Sequence, residues 1–300
     1  MRPGLIINAR QKEKFVGRAV HSALDQTVPC EIIISDQNSR DHTLREIWKA
    51  VEEHGKTHHN VRVLRCPVDG PYGMRACNQH FHWAWQQLPK DVDVIFQLSA
   101  DDYSLPDRVK VCMEGIGNQR FDVLACTMYF EEPGKDERKA ISGYPRQTGY
   151  VNAAEGLTNL AYGSVIAAYH RPFLERMDDG GSNTLDVYYG FLASLANGFY
   201  VVANPQHVHV QHSSTENMGF QGKLRGATGN EIMQLAELNH FQLAQLYMDS
   251  YEKAQALHPE GIDQNAINSI LSMILGQTKG WIERRKDLHV HNIVPGVLPA

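Results

Sequence analysis

Four short runs rich in aliphatic residues, separated by helical patterns, constrain this chain more than any other feature: Leu5-Ile6-Ile7, Cys30 to Ser35, Val61 to Leu64 and Val94 to Leu98. Runs of this length that stay apolar instead of alternating suit strands buried on both faces. Between the first two, Phe15, Val16, Ala19, Val20, Ala23 and Leu24 recur at helical spacing and predict a helix from about Glu13 to Leu24. Further helices are expected over Leu44 to His54 and Met74 to Gln87. Strand–helix–strand order with short links implies parallel pairing and right-handed crossovers. The expected architecture is therefore a doubly wound, mostly parallel α/β sheet.

Each run ends in polar or turn-forming residues: Asn8-Ala9-Arg10, then Asp36-Gln37-Asn38-Ser39-Arg40-Asp41, then Val68-Asp69-Gly70-Pro71-Tyr72-Gly73, then Ser99-Ala100-Asp101-Asp102. Open α/β sheets bind ligands at the C-terminal ends of their strands, so these clusters should meet at one rim. Asp101 and Asp102 suit a hard cation such as Mg²⁺ or Mn²⁺ shared with substrate phosphates. On these residues alone, a solvated turn leading into a helix from about Pro106 to Ile116 explains the pair equally well.

Further strands are expected over Asp122 to Tyr129, Gly163 to Tyr169, Phe199 to Ala203 and His207 to Gln211. Glu131 to Gly149 is rich in charge, Gly and Pro and reads as an excursion. Ala153 to Leu160 and Leu185 to Asn197 read as helices, with Met177 to Asn183 a polar loop between them. The character changes near Ser213, which divides the chain into residues 1–213 and 214–300. After a Gly-, Ser- and Asn-rich stretch, two amphipathic helices are expected, Glu231 to Leu257 and Asp263 to Arg285. They suit packing on the sheet or a homo-oligomer contact.

A formal charge of −5 leaves no electrostatic footprint for general nucleic-acid or anionic-membrane binding. No stretch approaches the length of apolar sequence that spans a bilayer. The five cysteines are odd in number, widely spaced and without a Cys-x-x-Cys pair, so they read as free thiols in a reducing compartment. With no signal-peptide pattern at the start, the expected location is cytoplasmic.

Four segments together resemble a known family. Leu5 to Arg10 with Phe15, Ala19, Ser22 and Gln26 is similar to the opening strand, loop and helix of GT-A glycosyltransferases of the family 2 type. Ile32 to Thr43 resembles that family's second strand and its Asp-x-x-Ser-x-Asp-x-Thr turn. Phe96 to Asp107 resembles its metal motif, and Leu185-Asp186-Val187 followed by Gly198-Phe199 its late acidic motif. The resemblance runs from Leu5 to about His212. It implies a GT-A (nucleotide-diphospho-sugar transferase-like) fold with a C-terminal helical extension. It also implies inverting, divalent-metal-dependent transfer of a sugar from a nucleotide diphosphate donor, UDP-type favoured, to an acceptor hydroxyl.

The same resemblance suggests roles. Asp36 would accept a hydrogen bond from a pyrimidine ring N–H, with Asn8, Ala9 and Arg10 flanking the nucleoside. Ser39, Arg75, Asn78, Ser99, Ala100 and Asp101 join the donor site. Asp101, Asp102 and His212 face the ion, Asp101 nearer the sugar and Asp102 nearer the metal. Asp186 would be the general base that takes the acceptor proton. Ser99 stands where the family usually has an acid, Leu185 where a Glu commonly precedes the late Asp, and Cys77 where an Arg often precedes the Asn.

Plainer readings stand beside these. Asp36 to Thr43 can be a capped turn, with Asp41 capping the next helix. Asp186 can be an ordinary helix-start acid, leaving Asp178 or Asp179 as the base. Arg75 and Asn78, one helical turn apart, face donor phosphates or solvent. Lys223 and Arg225 are candidates to close over the diphosphate. His207 and His209 share a strand face opposite His212, without a readable zinc set; Trp83 and Trp85 read as core. Two other functions fit the pattern: a catalytically weak nucleotide-sugar or glycan-binding protein, and a nucleotidyltransferase. The acceptor, whether glycan, lipid-linked glycan, protein, small molecule or modified nucleobase, is not readable.

Overall fold

The computed structural model describes residues 1–68, 74–132, 137–140, 147–151, 167–177, 189–190, 192–194, 196, 198–210 and 212. The four apolar runs become β1 (Pro3–Ala9), β2 (Glu31–Asp36), β3 (Asn60–Arg65) and β4 (Val94–Ser99). Between them lie α1 (Val16–Leu24), α2 (Thr43–His54) and α3 (Met74–Gln86). The strands pair in parallel in the order β3-β2-β1-β4, so the first strand sits at the centre with β2 and β4 on either side.

Beyond β4 come β5 (Tyr103–Ser104), α4 (Arg108–Ile116), β6 (Val123–Glu131), β7 (Arg138–Ala140), β8 (Gly149–Tyr150), β9 (Ala167–His170), α5 (Arg171–Arg176) and β10 (Phe199–Val210). β9 runs antiparallel between β4 and β6, and β10 pairs in parallel with β6, completing one mixed sheet.

Both faces of the sheet are covered, as the uniformly apolar runs require. On one face Ile6, Ile33, Ile95 and Tyr169 pack with Phe81, Ala84 and Trp85 of α3 and Phe173 of α5. On the other, Leu5, Ile7, Ile32, Ile34 and Phe96 meet Val16, Ala19 and Val20 of α1, Ile47 of α2 and Val109 of α4. Each such fully buried aliphatic or aromatic side chain contributes about 1.5–3 kcal/mol from burial. Gly115 lets α4 close on β10: a Cβ there would lie 2.7 Å from Val202 Cγ2.

Several expectations change. Phe199 to Ala203 and His207 to Gln211 form one strand through Val210, because Pro205 is absorbed at register shifts on either side of it. A bulge leaves Pro's missing N–H outside the ladder, so the strand survives. The Glu131 to Gly149 excursion carries two short edge strands, β7 on β6 and β8 on β10. The expected helices at 153–160, 231–257 and 263–285, most of 185–197, and the loop 178–183 lie outside the described residues. Among the described residues, no helix is long and apolar enough to cross a membrane. All five cysteines are free, four buried and Cys77 half-buried.

Candidate functional site

The C-terminal ends of β2, β1 and β4 lie side by side. Asn8 is level with Ser35 on one neighbour and Ser99 on the other, and Ala9 is level with Asp36. Two strand spacings separate the ends of β2 and β4, about 10 Å. The rim expected from the polar clusters exists, and it centres on β1.

At the β2 corner, Asp36 is 1% exposed. Its Oδ2 accepts the Ser39 N–H at 3.2 Å, while Oδ1 has no hydrogen-bond partner among the described residues. Both amide atoms of Asn8 are likewise shielded and without a partner among the described residues. Unpaired buried polar atoms cost free energy, and a ligand that pairs them recovers it. Arg10 reaches toward the Gln37 side chain at 3.5 Å. Beneath them His80, on α3, lies 2.6 Å from Ser35 Oγ, and burial with the nearby Arg10 charge pushes its pKa down to about 3. Asn78 is buried on the same helix.

The Ser39–Thr43 turn clasps the loop that follows β1. Gln11 N–H donates to Ser39 Oγ at 2.9 Å, Lys12 N–H to Thr43 Oγ1 at 2.7 Å and Glu13 N–H to Asp41 Oδ2 at 3.3 Å. His42 N–H returns to Glu13 Oε2 at 3.0 Å. Asp41 also accepts the Thr43 N–H at 3.0 Å, a turn contact just before α2; the N-cap position of that helix is His42, which makes no side-chain capping bond. The Ser39 hydroxyl, expected among the donor contacts, accepts within this clasp and keeps its O–H able to donate.

At the β4 corner the two adjacent acids point in different directions. Asp101 faces the rim: Lys12 Nζ donates to its Oδ2 at 2.5 Å, His212 Nε2 lies 3.3 Å from the same oxygen, and Ser99 Oγ bonds to Oδ1. Burial works against its charge, but the contacts from His212, Lys12 and Ser99 outweigh it and hold the carboxyl well below the usual carboxylate range. The His212 ring stacks on Phe15, centroids 4.0 Å apart and planes 16° apart.

Asp102 turns inward and is 2% exposed. It accepts the Val210 N–H at 2.9 Å, faces His207 Nε2 at 3.3 Å, and lies 3.1 Å and 3.3 Å by its two oxygens from His209 Nδ1. Burial opposes its ionisation, and the two histidines overcome that and lower its pKa. Burial pushes His207 down; for His209 burial acts the same way but Asp102 outweighs it and raises the pKa. The expectation that Asp102 lies nearer an ion does not match this placement. Its oxygens tie the β4–β5 turn to β10.

Two other expectations shift for simple reasons. The methyl groups of Ala9 and Ala100 lie in the core on the α1 face, so these residues bring only backbone to the rim. Ala9 O accepts the Gln37 N–H, and Ala100 N–H donates to Asn8 O. Trp85 is core and Trp83 packs against it, as expected. Arg75 lies in the first turn of α3, its side chain outside what is described. Asp178, Asp179, Asp186, Lys223 and Arg225 also lie outside the described residues. Lys12 was not foreseen; its only signal in the sequence is a lysine placed just past the end of a central strand.

The family model for glycosyl transferase family 2 matches residues 5–178. No curated protein matches the chain in sequence. Among solved structures, S. aureus TarS in complex with UDP-GlcNAc is similar with a TM-score of 0.61 at 15% identity, covering 99% of this chain and 77% of that one. Mannosyltransferase PcManGT from Pyrobaculum calidifontis, in complex with GDP-Man and Mn²⁺, gives 0.53 at 12% identity over 95% and 81%. At such identities the likeness speaks for the fold, and it is the GT-A fold. With the family match covering more than half of the chain and the strand ends converging on one rim, this chain belongs to glycosyl transferase family 2 and is a glycosyltransferase.

Proposed function

We propose that the chain transfers a sugar, with inversion, from a nucleotide diphosphate donor to an acceptor hydroxyl, with a divalent cation held at Asp101. The observation that carries the reading is the pairing of two corners on either side of β1. One corner offers an unpaired buried carboxylate oxygen at Asp36; the other offers an ionised Asp101 beside His212. A carboxylate and an imidazole are suitable donors for Mn²⁺. Among the described residues no group of three or more His, Cys, Asp or Glu side chains could hold an ion. A cation held by Asp101 and His212 would keep positions open for donor phosphate oxygens and water, an arrangement common where the protein supplies few ligands. Support also comes from the similar structures, whose ligands are UDP-GlcNAc in one case and GDP-Man with Mn²⁺ in another.

In this reading Asp36 Oδ1 accepts the ring N–H of the base, with Asn8 and Arg10 beside the nucleoside and a UDP-type donor favoured. When bound, the cation neutralises charge on the leaving diphosphate. Asp186 takes the acceptor proton as the acceptor oxygen attacks C1; the C1–O bond to phosphate breaks and its electrons leave with the nucleotide. The five free thiols fit a reducing, cytoplasmic setting.

Titration of the protein with UDP- and GDP-sugars, with and without Mn²⁺, tests the reading. A donor that binds the folded state raises the melting temperature. Metal-enhanced stabilisation by a nucleotide sugar, lost in Asp101→Asn, is expected. Release of pyrophosphate from a nucleoside triphosphate instead would identify a nucleotidyltransferase. Asp186→Asn should keep donor binding and lose transfer; full transfer would move the base to Asp178 or Asp179.

A further inference from the structure

The cation nearest Asp101 belongs to the chain itself. Lys12 Nζ sits 2.5 Å from Asp101 Oδ2, the oxygen that His212 also faces, and the side chains of the pair are only 13% and 12% exposed. A divalent ion held between Asp101 and His212 on the side His212 faces would come up against the Lys12 ammonium. The ammonium and a divalent ion at that oxygen repel each other, and in a site this sheltered from solvent the repulsion is weakly screened.

The Lys12 backbone has little freedom to move aside. Its N–H is held by Thr43, and its neighbours Gln11 and Glu13 are held by Ser39 and Asp41. Only the flexible side chain can leave, pivoting on a fixed Cα. An anion within reach would draw it away, and the donor diphosphate is the anion that the site is read to bind.

We propose that Lys12 is an exchangeable counter-ion: it occupies Asp101 in the free protein, resists entry of a divalent cation, and moves to the diphosphate when donor and cation arrive together. Lys12 is then a donor-binding residue that makes cation binding depend on the donor. This rests on the reading of Asp101 as the cation-holding acid.

The test is Mn²⁺ binding to the free protein, followed by the electron paramagnetic resonance signal of unbound Mn²⁺, and then UDP binding by calorimetry at saturating Mn²⁺. Lys12→Met should bind Mn²⁺ without nucleotide roughly tenfold more tightly than the unaltered chain, and UDP in the presence of Mn²⁺ roughly tenfold more weakly. Lys12→Arg keeps the charge and should stay close to the parent in the first assay. Lys12→Gln serves if Lys12→Met does not fold. If removing the charge leaves Mn²⁺ affinity unchanged or weakens it while Asp101→Asn abolishes it, Lys12 does not compete and the proposal falls alone. If Asp101→Asn binds Mn²⁺ as well as the parent, with and without UDP, the cation reading falls and takes the proposal with it.

Discussion

Replacing Asp102 by alanine should unfold this protein more readily, whereas Asp101→Asn, one residue away, should cost mainly activity. The Asp102 carboxylate is buried and accepts the Val210 N–H at 2.9 Å, with His207 and His209 within 3.3 Å. His207 is fully buried, so removing the carboxylate strands an imidazole and a backbone N–H away from water. Breaking a buried, charged network by deleting one partner costs about 3–5 kcal/mol. For a domain of this size that corresponds to a fall in melting temperature of about 10 °C. Asp101→Asn also weakens sheltered contacts to Lys12 and His212, but the amide oxygen can still accept from Lys12, so the cost should be smaller, about 1–3 kcal/mol. Losing its contribution to transition-state charge should lower turnover on the order of a hundred- to a thousand-fold. Melts followed by circular dichroism, beside nucleoside diphosphate release, separate the two. Should Asp102→Ala melt within about 2 °C of the parent while metal-dependent donor binding disappears, the inward placement of Asp102 is wrong.

His80 is kept neutral in the folded state, with a pKa of about 3, while the unfolded chain takes up that proton below about pH 6.5. The unfolded state then binds more protons, so stability should fall as pH drops from there toward 3, by about 1.4 kcal/mol per pH unit from this group. His80→Gln should flatten that slope in urea titrations; an unchanged slope would rule out a buried neutral imidazole. Gly115→Ala places a methyl 2.7 Å from Val202 Cγ2. It should destabilise by about 1–3 kcal/mol despite alanine's better helix propensity, and a rise in melting temperature would show that α4 shifts freely. Asp36→Asn should weaken UDP binding about tenfold in calorimetry with little change in melting, since only Oδ2 is engaged within the protein. Unaltered affinity would remove Asp36 from the base site.

β1, β2 and β4 were legible because burial on both sheet faces leaves a nearly unbroken apolar run, and half-buried edge strand β3 because its Val and Leu sit between two helical patterns; the observed ends fall close to the expected ones. β5, β7 and β8 were not, since strands of two or three residues owe their existence to a partner and carry no period of their own. Pro205 looked like an end because Pro cannot join a ladder, yet the register shifts around it let β10 continue. That Asp36 and Asp101 lie at one rim could be read because both follow directly on buried strands of one parallel sheet. Which of two adjacent acids faces outward could not, because that is decided by partners far away in the chain, Val210 for Asp102 and His212 for Asp101. Lys12 resembles any solvated loop lysine until its loop is seen held by Ser39, Asp41 and Thr43.

The stacking of His212 on Phe15 has a consequence for synthesis. Asp101 is completed by residues at both ends of the described chain, Lys12 near its start and His212 near its finish. At a ribosomal pace of about 5–20 residues per second, the last of these emerges roughly 10–40 s after the first. For that interval the nascent sheet has one half of its grip and lacks the other. The Asp101 corner can thus be completed only after the chain has been made through residue 212.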